Sequence, residues 1–69
     1  MKYITSIHND IFVFSKGITH SEMANKTKII VRGAGFVDWE KRICYGESIS
    51  LGISCHEKDT DTLDYHLSN

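Results

Sequence analysis

The stretch Lys2-Tyr3-Ile4-Thr5-Ser6-Ile7-His8-Asn9-Asp10-Ile11-Phe12-Val13-Phe14 decides the fold. Lys2 to His8 has the composition of a strand, and so does Ile11 to Phe14. Between them, Asn9 and Asp10 are the residue types that bond to their own backbone and accept a left-handed conformation, so they suit a tight turn. The N-terminus therefore reads as a β-hairpin.

Downstream, Gly17 breaks the second strand, and Thr19-His20-Ser21-Glu22 follows. A threonine at the N-cap with a glutamate three residues later is a capping box, in which each side chain takes up the other's free backbone amide. It predicts a short helix from about His20 to Lys26, with Met23 and Ala24 facing inward. Lys28 to Trp39 again has strand composition, with Ile29 and Val31 on one face and Val37 and Trp39 on one face. Its Gly33-Ala34-Gly35 interruption marks a bulge or a close backbone approach. Glu40-Lys41 supplies a polar turn.

Between Ile43 and Cys55 the apolar residues Ile43, Tyr45, Ile49, Leu51, Ile53 and Cys55 fall on odd positions, a period of two. This predicts one bent strand, or two strands joined near Gly46. Asp59 or Thr60 can cap a last helix running to about Leu67, whose inner face is Leu63, His66 and Leu67.

The predicted fold is α+β: a small antiparallel sheet of four or five strands with two short helices, in the order β-β-α-β-β(-β)-α. Ile11–Phe14 and Ile29–Val31 are apolar on both faces, as central strands are. Two helices this short are expected to cover one face of the sheet. The other face must curl over itself or meet a partner, which points to an interaction protein, homodimeric through that face.

The 69 residues allow one domain, 1–69. A chain of this size buries only roughly 60% of its unfolded surface, so small domains lean on disulfides, metals or oligomerisation. Met1-Lys2 leads straight into the first strand with no export signal, which makes a cytoplasmic location and reduced Cys44 and Cys55 the expectation. No apolar run is long enough to cross a bilayer as a helix. Charge is unevenly spread. Residues 1–45 carry seven basic groups against Asp10, Glu22, Asp38 and Glu40, whereas residues 46–69 carry Lys58 against Glu47, Glu57, Asp59, Asp61 and Asp64. That acidic end reads as a solvated helix.

Several segments invite a chemical reading. Arg32-Gly33-Ala34-Gly35-Phe36 lacks the third glycine and the following helix that a dinucleotide site needs, so it reads as a bulged strand. Gly46-Glu47-Ser48-Ile49-Ser50 lacks the closing glycine of a nucleophile elbow. Glu47 interrupts the apolar row: either Gly46 turns it to solvent, or it is a partly buried carboxylate that needs Arg32, Arg42 or a tyrosine hydroxyl. The metal-ligand types His8, His20, Cys44, Cys55, His56, Glu57 and His66 contain no close pair at structural-zinc spacing, so no metal or other cofactor is expected. His66 reads as a packed core histidine. Cys55 and His56 are neighbours that project to opposite sides of a strand, which leaves no activated thiol.

Nucleic-acid binding has one argument in its favour. Lys28, Arg32, Lys41 and Arg42 flank a hairpin, residues 28–45, that also holds Phe36, Trp39 and Tyr45. Against it stands a formal net charge of −1.

Ala34-Gly35-Phe36-Val37, Cys44-Tyr45-Gly46-Glu47-Ser48, Ser50-Leu51-Gly52-Ile53 and Asp59-Thr60 resemble small uncharacterised proteins of phage and prophage type, over about half of the chain. The resemblance assigns no activity and no functional residue. It implies an accessory protein that binds and redirects a host protein. The expectation is thus a non-enzymatic protein-binding domain using Arg32, Phe36, Trp39, Arg42 and Glu47. Nucleic-acid binding through the 28–45 hairpin is the alternative.

Overall fold

The computed structural model describes residues 1–68. Strand β1 (Lys2–Ser6) and strand β2 (Ile11–Phe14) form the expected hairpin, with Tyr3 opposite Val13 and Ile4 opposite Phe12. Asn9 takes the left-handed conformation, φ +66°. β1 ends at Ser6 rather than His8 because the Ser6 hydroxyl accepts the amides of His8 and Asp10, both at 3.1 Å. A side chain that captures nearby amides offers the backbone an alternative to the ladder.

Helix α1 (His20–Thr27) begins with the complete capping box: Thr19 Oγ1 accepts the Glu22 amide and Glu22 accepts that of Thr19. It ends where Lys28 turns left-handed. Met23 and Ala24 do face the sheet, but the most buried residue of the helix is His20. Strand β3 (Val31–Asp38) pairs antiparallel with β1. The register steps from Thr5 opposite Gly33 to Ser6 opposite Val31, so the extra residue in the predicted bulge is Arg32.

Strand β4 (Ile43–Tyr45) pairs with β3, and the sheet order is β2-β1-β3-β4. Ile11–Phe14 is therefore an edge strand, not a central one. Its two apolar faces have a different cause: successive residues of β1 enter different cores. Tyr3 joins Val37 and Leu63, with Ile11 and Val13 packed against them. Ile4 joins Phe14 and Ala34, with Phe12, Met23 and Ala24 around them. Adjacent residues of a strand point to opposite faces, so α1 covers one face and helix α2 (Asp59–Ser68) the other. Each face of the sheet thus carries one helix, which corrects the expectation that both helices cover a single face.

The period-two segment also departs from expectation. It forms β4, then a separate two-stranded ribbon of β5 (Glu47–Ser48) and β6 (Ile53–Ser54). Gly46 and Gly52, at φ +81° and +66°, bend the chain twice. Ser48 is buried, and its hydroxyl accepts the Leu51 amide inside the intervening turn. The apolar row does not stay inside: Ile43, Tyr45 and Ile49 are exposed, while Cys44 packs on the Tyr3 core. Gly46 turns Glu47 to solvent.

The inner face of α2 is Asp59, Thr62 and Leu63. His66 and Leu67 are exposed, which corrects the reading of His66 as a core residue. The helix overhangs the β1–β2 turn at that point, where His66 Nε2 lies 3.0 Å from the Asn9 carbonyl oxygen. The packed core histidine is His20, whose Nε2 lies 2.9 Å from the Gly35 carbonyl oxygen.

Candidate functional site

The most concentrated polar chemistry in the chain lies inside it. Asp59, in the first turn of α2, has no exposed surface. Its Oδ1 accepts from Thr5 Oγ1 at 2.8 Å and from Arg32 Nη2 at 3.0 Å, with Arg32 Nε at 3.3 Å. Its Oδ2 accepts from the Tyr3 hydroxyl at 2.6 Å and the His56 amide at 2.8 Å. Arg32 is further held by Thr62 Oγ1 and Asn9 Oδ1.

Two local features of β3 make room for this. The bulge at Arg32 breaks strict alternation, so Arg32 and Gly33 both serve the Asp59 side of the sheet. Gly33 has no side chain because a Cβ there would fall 2.0 Å from Asp59 Oδ2.

A fully buried charge needs a partner and a full set of hydrogen bonds. Asp59 has both, and its acceptor positions are filled by protein donors. It clamps α2 to β1 and β3 and offers no group to a substrate. Its charge acts on its neighbours. Burial, then the hydrogen bond and charge of Asp59, hold the Tyr3 phenol far above its ordinary pKa. Burial, and next the same charge, push the Cys44 thiol up to about 11. Cys44 and Cys55 are free thiols.

Arg32, expected as a binding donor, thus lies in this clamp. Phe36, Trp39 and Glu47 lie elsewhere, on one continuous surface at the β3–β4 end of the sheet. Phe36 is its floor, edge-on to His20 at 5.8 Å and tilted against Tyr45 at 5.9 Å. Two open grooves meet there and share Lys2, Phe36 and Tyr45. The first, about 580 Å³, runs past Glu47 to Ile49. The second, about 630 Å³, runs past Asp38 to Trp39 and Met1. Trp39 is 46% exposed, Tyr45 48% and Ile49 93%. Arg42 stands exposed in the turn before β4, with φ +55°.

Tyr45 and Ile49 belong to the site although both fall in the period-two apolar row, because a period of two says which residues share a face and not which face is wet. A third cleft, about 600 Å³, lies between the β1–β2 turn and α2 and is lined by His8, Asp10, Lys58, Asp61, Tyr65 and His66. Among the described residues no group of three or more His, Cys, Asp or Glu side chains is placed to hold a metal ion. No helix among them is long and apolar enough to cross a membrane. The chain matches no protein-family model, no curated protein and no solved structure.

Proposed function

We propose that the chain is a non-catalytic protein-binding domain whose contact surface is the Phe36–Trp39–Tyr45–Ile49 patch, with Glu47 at its rim. One observation carries the reading: large apolar side chains stand between 46% and 93% exposed around a shared aromatic floor, although the domain needs such side chains for its core. Exposed apolar area gathered in one place marks interaction surfaces, and aromatic anchors dominate their energetics. The resemblance to phage-type proteins makes a host protein the natural partner.

The nucleic-acid reading is weaker than in sequence, because Arg32, one of its four basic groups, is committed, and so is Lys2 on the floor of the patch. Arg32 is bound to Asp59, and the Lys2 ammonium donates to the Ile18 carbonyl at 3.0 Å. Lys41 and Arg42 remain beside the patch.

Trp39→Ala is expected to weaken partner binding by about 2 kcal/mol, roughly thirtyfold in Kd, while stability changes by less than about 1 kcal/mol. The experiment is affinity capture from the native host with wild type, Trp39→Ala and Tyr45→Ala, each checked for folding by circular dichroism. Loss of one defined host protein with both folded variants supports the reading. Capture that both variants leave unchanged, or retention of single-stranded oligonucleotides in its place, overturns it. So does a Trp39→Ala protein destabilised by several kcal/mol, which would place the side chain in the core.

A further inference from the structure

Helix α1 starts beside the first groove. Its first residue, His20, is only 4% exposed, and Nε2 lies 2.9 Å from the Gly35 carbonyl oxygen. A carbonyl can only accept, so Nε2 carries the proton and, in the neutral ring, Nδ1 is an acceptor. Among the described residues every buried side-chain nitrogen or oxygen sealed from solvent has a hydrogen-bond partner, whereas His20 makes no side-chain bond besides that of Nε2. Nδ1 therefore meets solvent, and it does so through the groove that His20 lines. The ring is held in place: Phe14 and Phe36 stand edge-on to it at 5.6 and 5.8 Å, and the Gly35 bond fixes which nitrogen faces inward.

Around this acceptor the neighbouring polar groups are engaged and the walls are apolar. Thr19 Oγ1 accepts the Glu22 amide, Ser50 Oγ accepts the Ser21 amide at 3.3 Å, and the Lys2 ammonium donates to the Ile18 carbonyl. Phe36, Tyr45 and Ile49 supply the walls, with Glu47 exposed at the rim. Gly46 leaves the Phe36 ring bare, since a Cβ there would stand 3.0 Å from its Cδ2. The groove is open along one side. That suits a side chain carried on a larger surface better than a free small molecule, most of whose surface must be buried.

We infer that this groove seats a tryptophan side chain of the partner protein, its indole ring against Phe36 and Tyr45 and its N–H donated to His20 Nδ1. Indole is apolar apart from one N–H donor and brings no acceptor. It matches a groove of apolar walls with one unfilled acceptor held at a fixed angle. A phenylalanine or leucine in its place would bury that acceptor unpaired. Tryptophan is also the residue type that most often anchors a contact surface. The inference rests on this surface being the contact site and names the group that fills it.

The test is a titration of the 15N-labelled full chain with N-acetyl-tryptophanamide at pH 8, followed through backbone amide and imidazole nitrogen resonances. Saturable binding at millimolar concentration is expected, with shifts at Phe36, Tyr45, Gly46 and Ile49 and an upfield shift of His20 Nδ1 as it accepts a hydrogen bond. The 3-benzothienylalanine analogue, with sulfur in place of the ring N–H, should bind at least about fivefold more weakly because it strands Nδ1. His20→Phe should abolish that preference. A preference below about fivefold, tighter binding of N-acetyl-tyrosinamide, an unmoved Nδ1 resonance or shifts confined to other surfaces would overturn the inference. So would an Nδ1 shift produced by raising protein concentration alone and lost in Trp39→Phe, which would seat a second copy in the groove. Should His20→Phe fail to fold, the analogue pair and the wild-type Nδ1 resonance still decide. A host protein captured through Tyr45 together with no probe binding refutes the tryptophan and leaves the contact surface standing, whereas probe binding with no host protein captured refutes the contact surface.

Discussion

Replacing Asp59 with alanine should remove most of the stability of this domain. The substitution strands the Arg32 guanidinium, whose side chain is 11% exposed, and also the hydroxyls of Tyr3 and Thr5 and the His56 amide. Removing one partner of a buried ion pair costs about 3–5 kcal/mol because the other charge stays behind uncompensated. Each further stranded donor adds about 1–3 kcal/mol unless water reaches it, and such terms overlap, so roughly 5 kcal/mol is the working figure. A 69-residue chain has a total of only about 3–10 kcal/mol to lose. Asp59→Asn keeps the shape and one carbonyl acceptor but turns an amide NH2 toward donors, and about 2–3 kcal/mol is expected. The assay is urea unfolding followed by Trp39 fluorescence and by far-ultraviolet circular dichroism. An alanine variant within about 0.5 kcal/mol of wild type would refute the clamp, since surface substitutions fall in that range.

Three further outcomes follow from the same geometry. Gly33→Ala drives a methyl into the Asp59 carboxylate and should cost about 3 kcal/mol or more, whereas a change below about 1 kcal/mol would mean that β3 shifts freely. Tyr3 is held protonated in the folded state, so its contribution is complete below the ordinary tyrosine pKa of about 10. Above it, the unfolded chain releases a proton that the folded chain keeps, and stability falls by up to about 1.4 kcal/mol per pH unit. Urea titrations of wild type and Tyr3→Phe from pH 8 to 11.5 isolate that slope, and parallel curves would refute it. With its thiol pushed up to about 11, Cys44 is only about one part in a thousand thiolate at pH 8, so a disulfide reagent should label it far more slowly in the folded protein than in urea. Equal rates would show that the site is open.

Local signals in the sequence were sufficient wherever the physics was local. Asn9-Asp10 marked the hairpin turn and Thr19 and Glu22 marked the start of α1, because capping and turn hydrogen bonds act within a few residues, whereas Gly33-Ala34-Gly35 marked a close approach without naming its partners, Asp59 and Tyr45. The α+β class and the order of elements followed from those marks. Pairing between distant segments was decided only by the tertiary structure. Asp59 has the same sequence signature as an exposed helix-capping acid. It is buried because Tyr3, Thr5 and Arg32 converge on it from 27 to 56 residues away. Two apolar faces could not distinguish a central strand from an edge strand, since a helix on each side of the sheet buries both. The row from Ile43 to Cys55 kept its period but not its side, because two left-handed glycines reset which face meets the core. Periodicity states which residues look the same way, and only the packed chain determines what they look at.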